Sequence, residues 1–332
     1  MISNTPFKQN LFWKLVFNYI GKKRRDALHT KGQAMDRFKY DKRDLEFLKD
    51  FRQYLRPIFE NYFRVDYHGV KDLEGTPSLF VGNHNGIFSV EILMMLEIWA
   101  RELQFKFPGI FGLTHDMVFN HAVLKHIVPK IGCIPANPDI AKEAFKHGHS
   151  LLVYPGGEFE TFRPLSEKSE VQFSGRKGFA RLALEADVPI IPVANVGGHE
   201  QSLVLYRDEE IAKMRDFKKK FRVSAIPITP FGIPFIPGLF SKYTEKFAFY
   251  SMIAFSSFPM PAKMDFYFEK PIKLTEEEKH KKTFDQQVDL LNQKVLDSLQ
   301  YRLTREYSRP RVPLYGEVEA RGLLRKLLKM AS

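Results

Sequence analysis

The stretch SLFVGNHNGIFSVE, residues 78–91, joins three patterns that are typical of an open α/β sheet. It begins with an apolar, β-prone run that predicts a strand over residues 78–83. Small polar residues and a glycine follow and predict a turn, and a helical pattern then runs from residue 89 to residue 102. A single histidine, His84, lies in the predicted turn.

The same order of apolar run, turn and helical segment recurs between about residues 67 and 200. Further strands are predicted at GIFGLT (109–114), IGCIPA (131–136), SLLVYPGG (150–157) and VPIIPVANVGG (188–198), and further helices at 117–128, 139–147 and 176–186. Alternating strands and helices predict an α/β fold with a mostly parallel central sheet flanked by helices. Ligands of such sheets gather at the carboxyl ends of the strands, where His84 lies.

Composition and charge limit the kinds of partner that the chain can bind. The 332 residues are 44% hydrophobic, which is enough for a buried core, and the net charge of +12 favours an anionic partner. Phospholipid headgroups, phosphorylated cofactors and nucleic acid are all anionic. Nucleic acid is disfavoured because the basic residues are scattered and match no recognised binding motif. The single cysteine, Cys133, excludes an intramolecular disulfide and is interpreted as a small buried residue.

The chain divides into three predicted parts. Residues 1–66 form a helical segment in which an aromatic face precedes the basic cluster at residues 22–25, as in a helix that lies on an anionic membrane; a packed helix with a solvated end is the alternative. Residues 67–275 form the α/β domain. Residues 276–332 form a C-terminal helical segment that packs on this domain and ends in the basic stretch RGLLRKLLKM. No uninterrupted apolar stretch reaches the ~18 residues of a membrane-spanning helix.

The pattern is less regular between residues 201 and 306. A charged helix is predicted at 208–222, followed by the apolar loop FGIPFIPGLF (231–240), which we expect against lipid or an acyl chain, or as a buried crossover. KMDFYFEKPI (263–272) alternates as an edge strand would. Residues 276–306 have the pattern of one charged amphipathic helix.

His84 is the first candidate for a chemical role. Its ordinary pKa range suits the removal of a proton near neutral pH, and a carboxylate, Glu91, lies at the start of the next predicted helix. A strand, a turn and a helix start can bring this pair together, so that the acid orients the imidazole and stabilises its protonated form. The alternatives are a structural histidine and a glutamate that only favours the first turn of the helix.

A second candidate site follows the strand SLLVYPGG. Gly156 and Gly157 permit a tight turn whose backbone N–H groups would bind an anion or a developing oxyanion, although a glycine pair is most often only a turn. Arg176 and Lys177 open the next helix, where side-chain charge and helix dipole both favour a phosphate. His115 and Asp116 end another strand and are candidates for lining the same crevice. The histidine spacings match no metal site, so no metal is predicted.

Four ordered blocks of the sequence resemble the PlsC-like glycerolipid and lysophospholipid acyltransferase superfamily. They are GNHNG (82–86), GLTHDMVF (112–119), IGCIPANPDIAKEAFKHGHSLLVYPGGEFETFRP (131–164) and GRKGFARLALEADVPIIPVANVGGHE (175–200). The chain is most similar to the branch that carries YPGG in place of FPEG, which also resembles diacylglycerol acyltransferases. The resemblance covers about residues 76–275, and the ordered set is more specific than any one motif.

The resemblance implies transfer of an acyl group from acyl-CoA or acyl-carrier protein to a hydroxyl of a glycerolipid or lysophospholipid, with no other cofactor. It implies a peripheral protein on the cytoplasmic side of a membrane. His84 then corresponds to the family's general base. The family's orienting Asp is replaced by Ser89, which makes Glu91 the nearest candidate acid. A lipid-binding protein that has lost catalysis is the alternative function.

The remaining candidate residues come from the same resemblance. It assigns the phosphate or polar head of the acceptor to Gly156, Gly157 and Arg163 of the third block and to the basic residues Arg176 and Lys177 of the fourth. Glu158 follows the glycine pair, whereas the family has its acid before the last glycine, so Glu158 is a further candidate for the binding set. Asn85 and Ser89, beside the base, complete the candidates.

Overall fold

The computed structural model describes residues 38–73, 77–85, 90–101, 109–120, 124–202, 204–208, 226–228, 260–312 and 316–317. Within these residues a seven-stranded sheet has the order β1-β9-β6-β2-β5-β3-β4, and two short strand pairs form separate two-stranded sheets. The strands are β1 (Asp66–His68), β2 (Leu79–Gly82), β3 (Ile110–Thr114), β4 (Cys133–Pro135), β5 (Ser150–Val153), β6 (Ile190–Val196), β7 (Tyr206–Asp208), β8 (Ile226–Ile228), β9 (Asp265–Phe268), β10 (Arg311–Val312) and β11 (Gly316–Glu317).

Helices flank the sheet and connect its strands. The α-helices are α1 (Leu45–Pro57), α2 (Val90–Arg101), α3 (Asp116–Phe119), α4 (Leu124–Ile127), α5 (Pro138–Lys146), α6 (Gly157–Thr161), α7 (Gly178–Glu185), α8 (Glu276–His280) and α9 (Phe284–Tyr307). A π-helical turn (Ile58–Tyr62) extends α1, and short 3₁₀ turns occur at Val70–Asp72, Leu165–Glu167 and Gly198–Gln201.

The sheet is buried on both faces, which explains why its central strands are mostly apolar. Strands β2 and β6 have no exposed residue. Leu79 and Val81 pack in one core cluster, which includes residues of α7 and α9, whereas Phe80 packs in a second cluster with Met94 and Ile98 of α2. Because successive side chains of a strand point to opposite faces, the two clusters lie on the two faces of the sheet. The predicted α/β fold with a mostly parallel sheet is confirmed.

The predicted edge strand at residues 263–272 is wrong in its position. Its central part, β9, pairs in parallel with β1 and antiparallel with β6, so it is an interior strand. The edge position belongs to the short strand β1. Phe266 and Phe268 face a core cluster, and the partly buried side chains that alternate with them resemble the pattern of an edge.

Two predicted helices are divided in the structure. The helix expected over residues 276–306 consists of α8 and α9, because Thr283 and Gln286 form a capping box that starts a new helix. The helix expected over 117–128 corresponds to the short helices α3 and α4. Helices α2, α5 and α7 occur where they were predicted, with ends that differ by one or two residues.

Several predicted features lie outside the described residues. They are the aromatic helix and basic cluster before residue 38, residues 209–222 of the helix predicted at 208–222, the loop at 231–240 and the basic stretch at 321–330; Asp208 itself ends β7. Helix α1 is the described helix of the predicted N-terminal helical segment. Among the described helices, none combines the length and the apolar character that crossing a bilayer requires.

Candidate active site

The candidate site lies where β2, β5 and β6 end. Strand β2 pairs in parallel with both β5 and β6, so the carboxyl ends of these three strands meet at one edge of the sheet. After β2 comes the segment from Asn83 to Asn85, after β5 the segment Tyr154–Gly157, and after β6 a glycine pair. Since β2 lies between the other two strands, His84 has a polypeptide turn on each side.

His84 and Glu91 lie next to each other, as the sequence predicts. Nδ1 of His84 is 3.7 Å from Oε1 of Glu91, which is close enough for attraction between charges and longer than a hydrogen bond. The Glu91 side chain is fully buried, whereas 15% of the His84 side chain is exposed. Nδ1 itself is buried, so a ring nitrogen of His84 that is open to solvent can only be Nε2.

The ring of Tyr154 stacks on the imidazole of His84. Their centroids are 5.0 Å apart and the planes differ by 27°. Gly82 makes this possible, because a Cβ at position 82 would lie 2.6 Å from Cε1 of Tyr154. Burial, together with the nearby Glu91 carboxylate, holds the pKa of Tyr154 well above its ordinary value, so its hydroxyl stays protonated. Tyr154 lies within the YPGG block, but no pattern in the sequence indicates its contact with His84.

Side-chain amides hold the turn that carries His84. The Asn83 side-chain amide pairs with the backbone of Asn195 in β6, as the backbone of a neighbouring strand would. Its Oδ1 accepts from the backbone N–H of Asn195 (2.8 Å), and its Nδ2 donates to the Asn195 carbonyl oxygen (3.0 Å). The backbone N–H of Asn85 donates to Oε1 of Glu91 (2.6 Å), and its carbonyl oxygen accepts from Gln201 (2.9 Å). Asn85, a candidate from the sequence, is fully buried, and both its backbone N–H and its backbone C=O group contact other parts of the protein.

Glu160 and Arg163 contact the backbone of His84 directly. Oε2 of Glu160 accepts from the His84 N–H (2.9 Å), and Nη1 of Arg163 donates to the His84 carbonyl oxygen (3.2 Å). Both side chains are completely buried. Arg163, which the resemblance assigns to the acceptor's polar head, thus lies in the interior with its guanidinium directed at protein oxygens. Glu160 was missed, since nothing in its spacing indicates that it reaches across to β2.

The glycine pair after β5 has a packing role in the structure. A Cβ at Gly156 would lie 2.2 Å from Oε2 of Glu160, and Gly157 has a φ of 53°, which favours glycine. The N–H of Gly157 donates to the carbonyl oxygen of Tyr154 (3.2 Å), so this donor is used within the turn. Arg176 donates to the Gly156 carbonyl oxygen (2.6 Å) and to both carboxylate oxygens of Glu158 (3.0 and 3.2 Å).

The other predicted residues belong to other elements or lie outside the described residues. Nζ of Lys177 pairs with Asp289 of α9 (2.7 Å), and about half of each side chain is exposed. His115 and Asp116 are exposed at the end of β3, and β5 separates that strand from β2. Ser89 lies outside the described residues.

The described part of the chain contains no candidate metal centre. None of its groups of His, Cys, Asp and Glu side chains has the arrangement that would hold a metal ion. Cys133 is buried, and burial raises the pKa of its thiol to about 11, which keeps it uncharged at neutral pH. The structure brings together one partly exposed imidazole, a buried carboxylate and a tyrosine at the carboxyl edge of the sheet.

The fold and the site together define an α/β protein that carries a histidine–carboxylate pair at the carboxyl edge of its sheet. The chain belongs to the diacylglycerol acyltransferase family, whose sequence model matches residues 34–313. The match includes the whole described sheet and every candidate site residue.

Individual relatives are more distant. The chain is 29% identical over 180 residues to an uncharacterized protein of Mycobacterium leprae, which covers 54% of this chain and 47% of that protein. It is 27% identical over 183 residues to the DGAT1/2-independent enzyme synthesizing storage lipids of Gallus gallus (54% and 52%). It is 26% identical over 148 residues to diacylglycerol O-acyltransferase 2 of Homo sapiens (43% and 38%). The chain thus spans about half of these relatives or less.

Proposed function

We propose that this protein transfers a fatty acyl group from the thioester of acyl-CoA to a hydroxyl of a glycerolipid, with His84 as general base. The observation that carries the proposal is the 3.7 Å approach of the partly exposed His84 ring to the buried Glu91 carboxylate at the carboxyl edge of the sheet. Membership of the diacylglycerol acyltransferase family makes diacylglycerol the first acceptor to test. A lysophospholipid is the second, in line with the resemblance to the PlsC-like superfamily.

The chemistry requires a base because a hydroxyl is a poor nucleophile near neutral pH. Nε2 of His84 takes the hydroxyl proton as the oxygen bonds to the thioester carbonyl carbon. The C–S bond then breaks, and the CoA thiolate leaves and takes up the proton from the imidazolium. The products are an ester and the free thiol of CoA. Glu91 stabilises the imidazolium while it exists, and no acyl-enzyme is required because the thioester is already activated.

Two exposed cations are proposed to bind the anionic parts of the substrates. Arg176 and Lys177 have 42% and 45% of their side chains exposed, so a phosphate can reach both. Glu158 would then orient Arg176 through its two hydrogen bonds. Gly156 and Gly157 set the path of the turn that precedes Glu158, and Arg176 is tied to this turn by its hydrogen bond to the Gly156 carbonyl oxygen. His115 and Asp116 are left as candidates for lining the outer part of the crevice.

We also propose that the protein binds peripherally to the cytoplasmic side of a membrane. The net charge of +12 supports attraction to anionic lipid, and the acceptor itself is a membrane lipid. Residues 67–275 would be the acyltransferase domain. Residues 1–66 would contact the membrane surface, and residues 276–332 would pack on the domain and end in a basic tail.

A direct assay tests the proposed function. Purified full-length chain is incubated with radiolabelled oleoyl-CoA and vesicles that contain diacylglycerol, monoacylglycerol or lysophosphatidate, and lipid products are separated. We expect labelled product from the wild type and a roughly 10²- to 10⁴-fold lower rate from His84→Ala. A fully active His84→Ala variant would contradict the proposal. Vesicle binding without turnover on any acceptor would favour the alternative, a lipid-binding protein that has lost catalysis.

A further inference from the structure

A buried ion pair lies against the backbone of His84. Nη1 of Arg163 is 3.4 Å from Oε1 of Glu160, and neither side chain has any exposed surface. Glu160 lies in α6 and Arg163 two residues after that helix ends, so the pair belongs to the segment that follows β5. It reaches the turn after β2, which is a neighbouring strand.

The pair contacts both peptide groups that flank the Cα of His84. The carboxylate of Glu160 holds the N–H side (2.9 Å) and the guanidinium of Arg163 holds the C=O side (3.2 Å). Nη2 of Arg163 also donates to Oδ1 of Asn85 (2.8 Å), the next residue of the turn. We propose that Glu160 and Arg163 are positioning residues that fix the backbone of His84 and thereby aim its imidazole; this proposal rests on the proposed function of His84.

The hydrogen bonds of the pair are divided between its own segment and the His84 turn. Oε1 of Glu160 accepts from the backbone N–H of Gln172 (3.1 Å) while Oε2 accepts from His84, so each carboxylate oxygen has a fixed amide donor. Removing two charges from water costs several kcal/mol per ion, and this cost is offset only by good geometry and further hydrogen bonds. A pair that costs this much is weak evidence for stability alone, which favours a role in placing the turn.

Two neighbouring residues fit the same role. Only glycine at position 156 leaves room for the Glu160 carboxylate, because a Cβ there would lie 2.2 Å from Oε2 and 2.4 Å from the Glu160 Cβ. His199 is completely buried and its Nε2 lies 2.7 Å from the carbonyl oxygen of Arg163, to which it donates. The glycine of the YPGG block thus makes space for the pair, and the segment after β6 holds the backbone of its arginine.

The variant Glu160→Gln keeps the shape of the side chain and removes the carboxylate. Glutamine has one acceptor oxygen and one NH₂ group, so it satisfies only one of the two amide donors that Glu160 binds. The matched control is Glu306→Gln in α9. Glu306 is also buried, at 5% exposure, but the side chains with which it pairs, Arg302 (3.0 Å) and Arg309 (2.9 Å), lie in or just after α9 and not in the His84 turn.

We would measure kcat and KM for acyl-CoA together with backbone hydrogen exchange, followed by mass spectrometry of peptides covering residues 78–91. For Glu160→Gln we expect a roughly ten- to hundredfold lower kcat, a KM within about threefold of wild type, and faster exchange in that peptide. For Glu306→Gln we expect kcat and exchange at residues 78–91 to match the wild type. Circular dichroism would verify that both variants are folded.

Three results would overturn the positioning role: an unchanged kcat in Glu160→Gln, a loss of kcat without faster exchange at residues 78–91, or an equal loss in Glu306→Gln. Failure of the proposed function has a different signature, which is the absence of acyl transfer by the wild type on every acceptor. In that case the exchange measurement still decides whether Glu160 holds the His84 turn. Unchanged exchange in Glu160→Gln would then contradict the inference.

Discussion

At the scale of single residues, His199 links the stability of the fold to pH. It is completely buried, and desolvation, with the charge of Arg163 as a second cause, holds its pKa well below the ordinary value of 6.5. The unfolded chain therefore binds a proton below about pH 6.5 that the folded chain does not bind. We expect the free energy of unfolding to fall between pH 7 and pH 5, by up to about 1.4 kcal/mol per pH unit from this group.

The variant His199→Gln provides the control for this pH dependence. The Gln side-chain amide can still donate to the carbonyl oxygen of Arg163, but it does not titrate. Urea denaturation at several pH values would compare the two proteins. A slope against pH that is as steep in His199→Gln as in the wild type would show that other groups cause it.

The residues of the site differ in how far the sequence predicts them. The sequence predicts that His84 and Glu91 lie together, because only a strand end, a turn and a helix start separate them. Their spacing along the chain is therefore enough to indicate the contact. Glu160 contacts His84 across 76 residues of sequence, and Asn195 contacts Asn83 across 112. Such contacts depend on which strands are neighbours in the sheet, which no local pattern specifies.

At the scale of elements, the starts of α6 and α7 provide a matched pair of glycines. Gly156 precedes α6 with a φ of −62°, so alanine is not strained in the backbone, but its Cβ would overlap Glu160. At Gly178, the first residue of α7, an added Cβ meets no atom within 4 Å among the described residues. We expect Gly156→Ala to lower the free energy of unfolding by about 1–3 kcal/mol.

The control substitution, Gly178→Ala, should leave the free energy of unfolding unchanged or raise it by up to about 1 kcal/mol, because alanine restricts the unfolded chain. Urea denaturation measures both variants. Equal effects at the two positions would contradict the packing of Glu160 against Gly156, whereas a loss confined to Gly156→Ala would support it. The acyl-transfer rate of Gly156→Ala should fall as well, since Glu160 holds the turn of His84.

The sequence predicts individual elements better than their arrangement. The five strands from β2 to β6 were expected because each is a short apolar run next to a turn signal. The alternating pattern of β9 predicts an edge strand, because it does not reveal that β1 and β6, which are distant in sequence, lie on its two sides. The division of the C-terminal helix was predictable in principle, since Thr283 and Gln286 have the spacing of a capping box.

At the scale of the whole molecule, the net charge of +12 gives a test of the proposed membrane association. We expect the protein to float with vesicles that contain anionic phospholipid and to bind less at higher ionic strength, because salt screens exposed charges. Vesicles of phosphatidylcholine alone are the control. Equal binding to neutral and anionic vesicles at all salt concentrations would contradict an electrostatic contribution.

His84 and Glu91 are proposed to act as one unit in acyl transfer, and a double-mutant cycle measures the coupling between them. Glu91→Gln keeps an oxygen that can accept from the Asn85 N–H but removes the charge beside Nδ1 of His84. The measurement is the rate of transfer from labelled acyl-CoA to diacylglycerol by the wild type, His84→Ala, Glu91→Gln and the double variant. We expect Glu91→Gln to slow the wild type and to have no further effect on His84→Ala, since its action passes through the imidazole. Independent losses that multiply in the double variant would show that Glu91 does not act through His84, and an active His84→Ala would show that His84 is not the base.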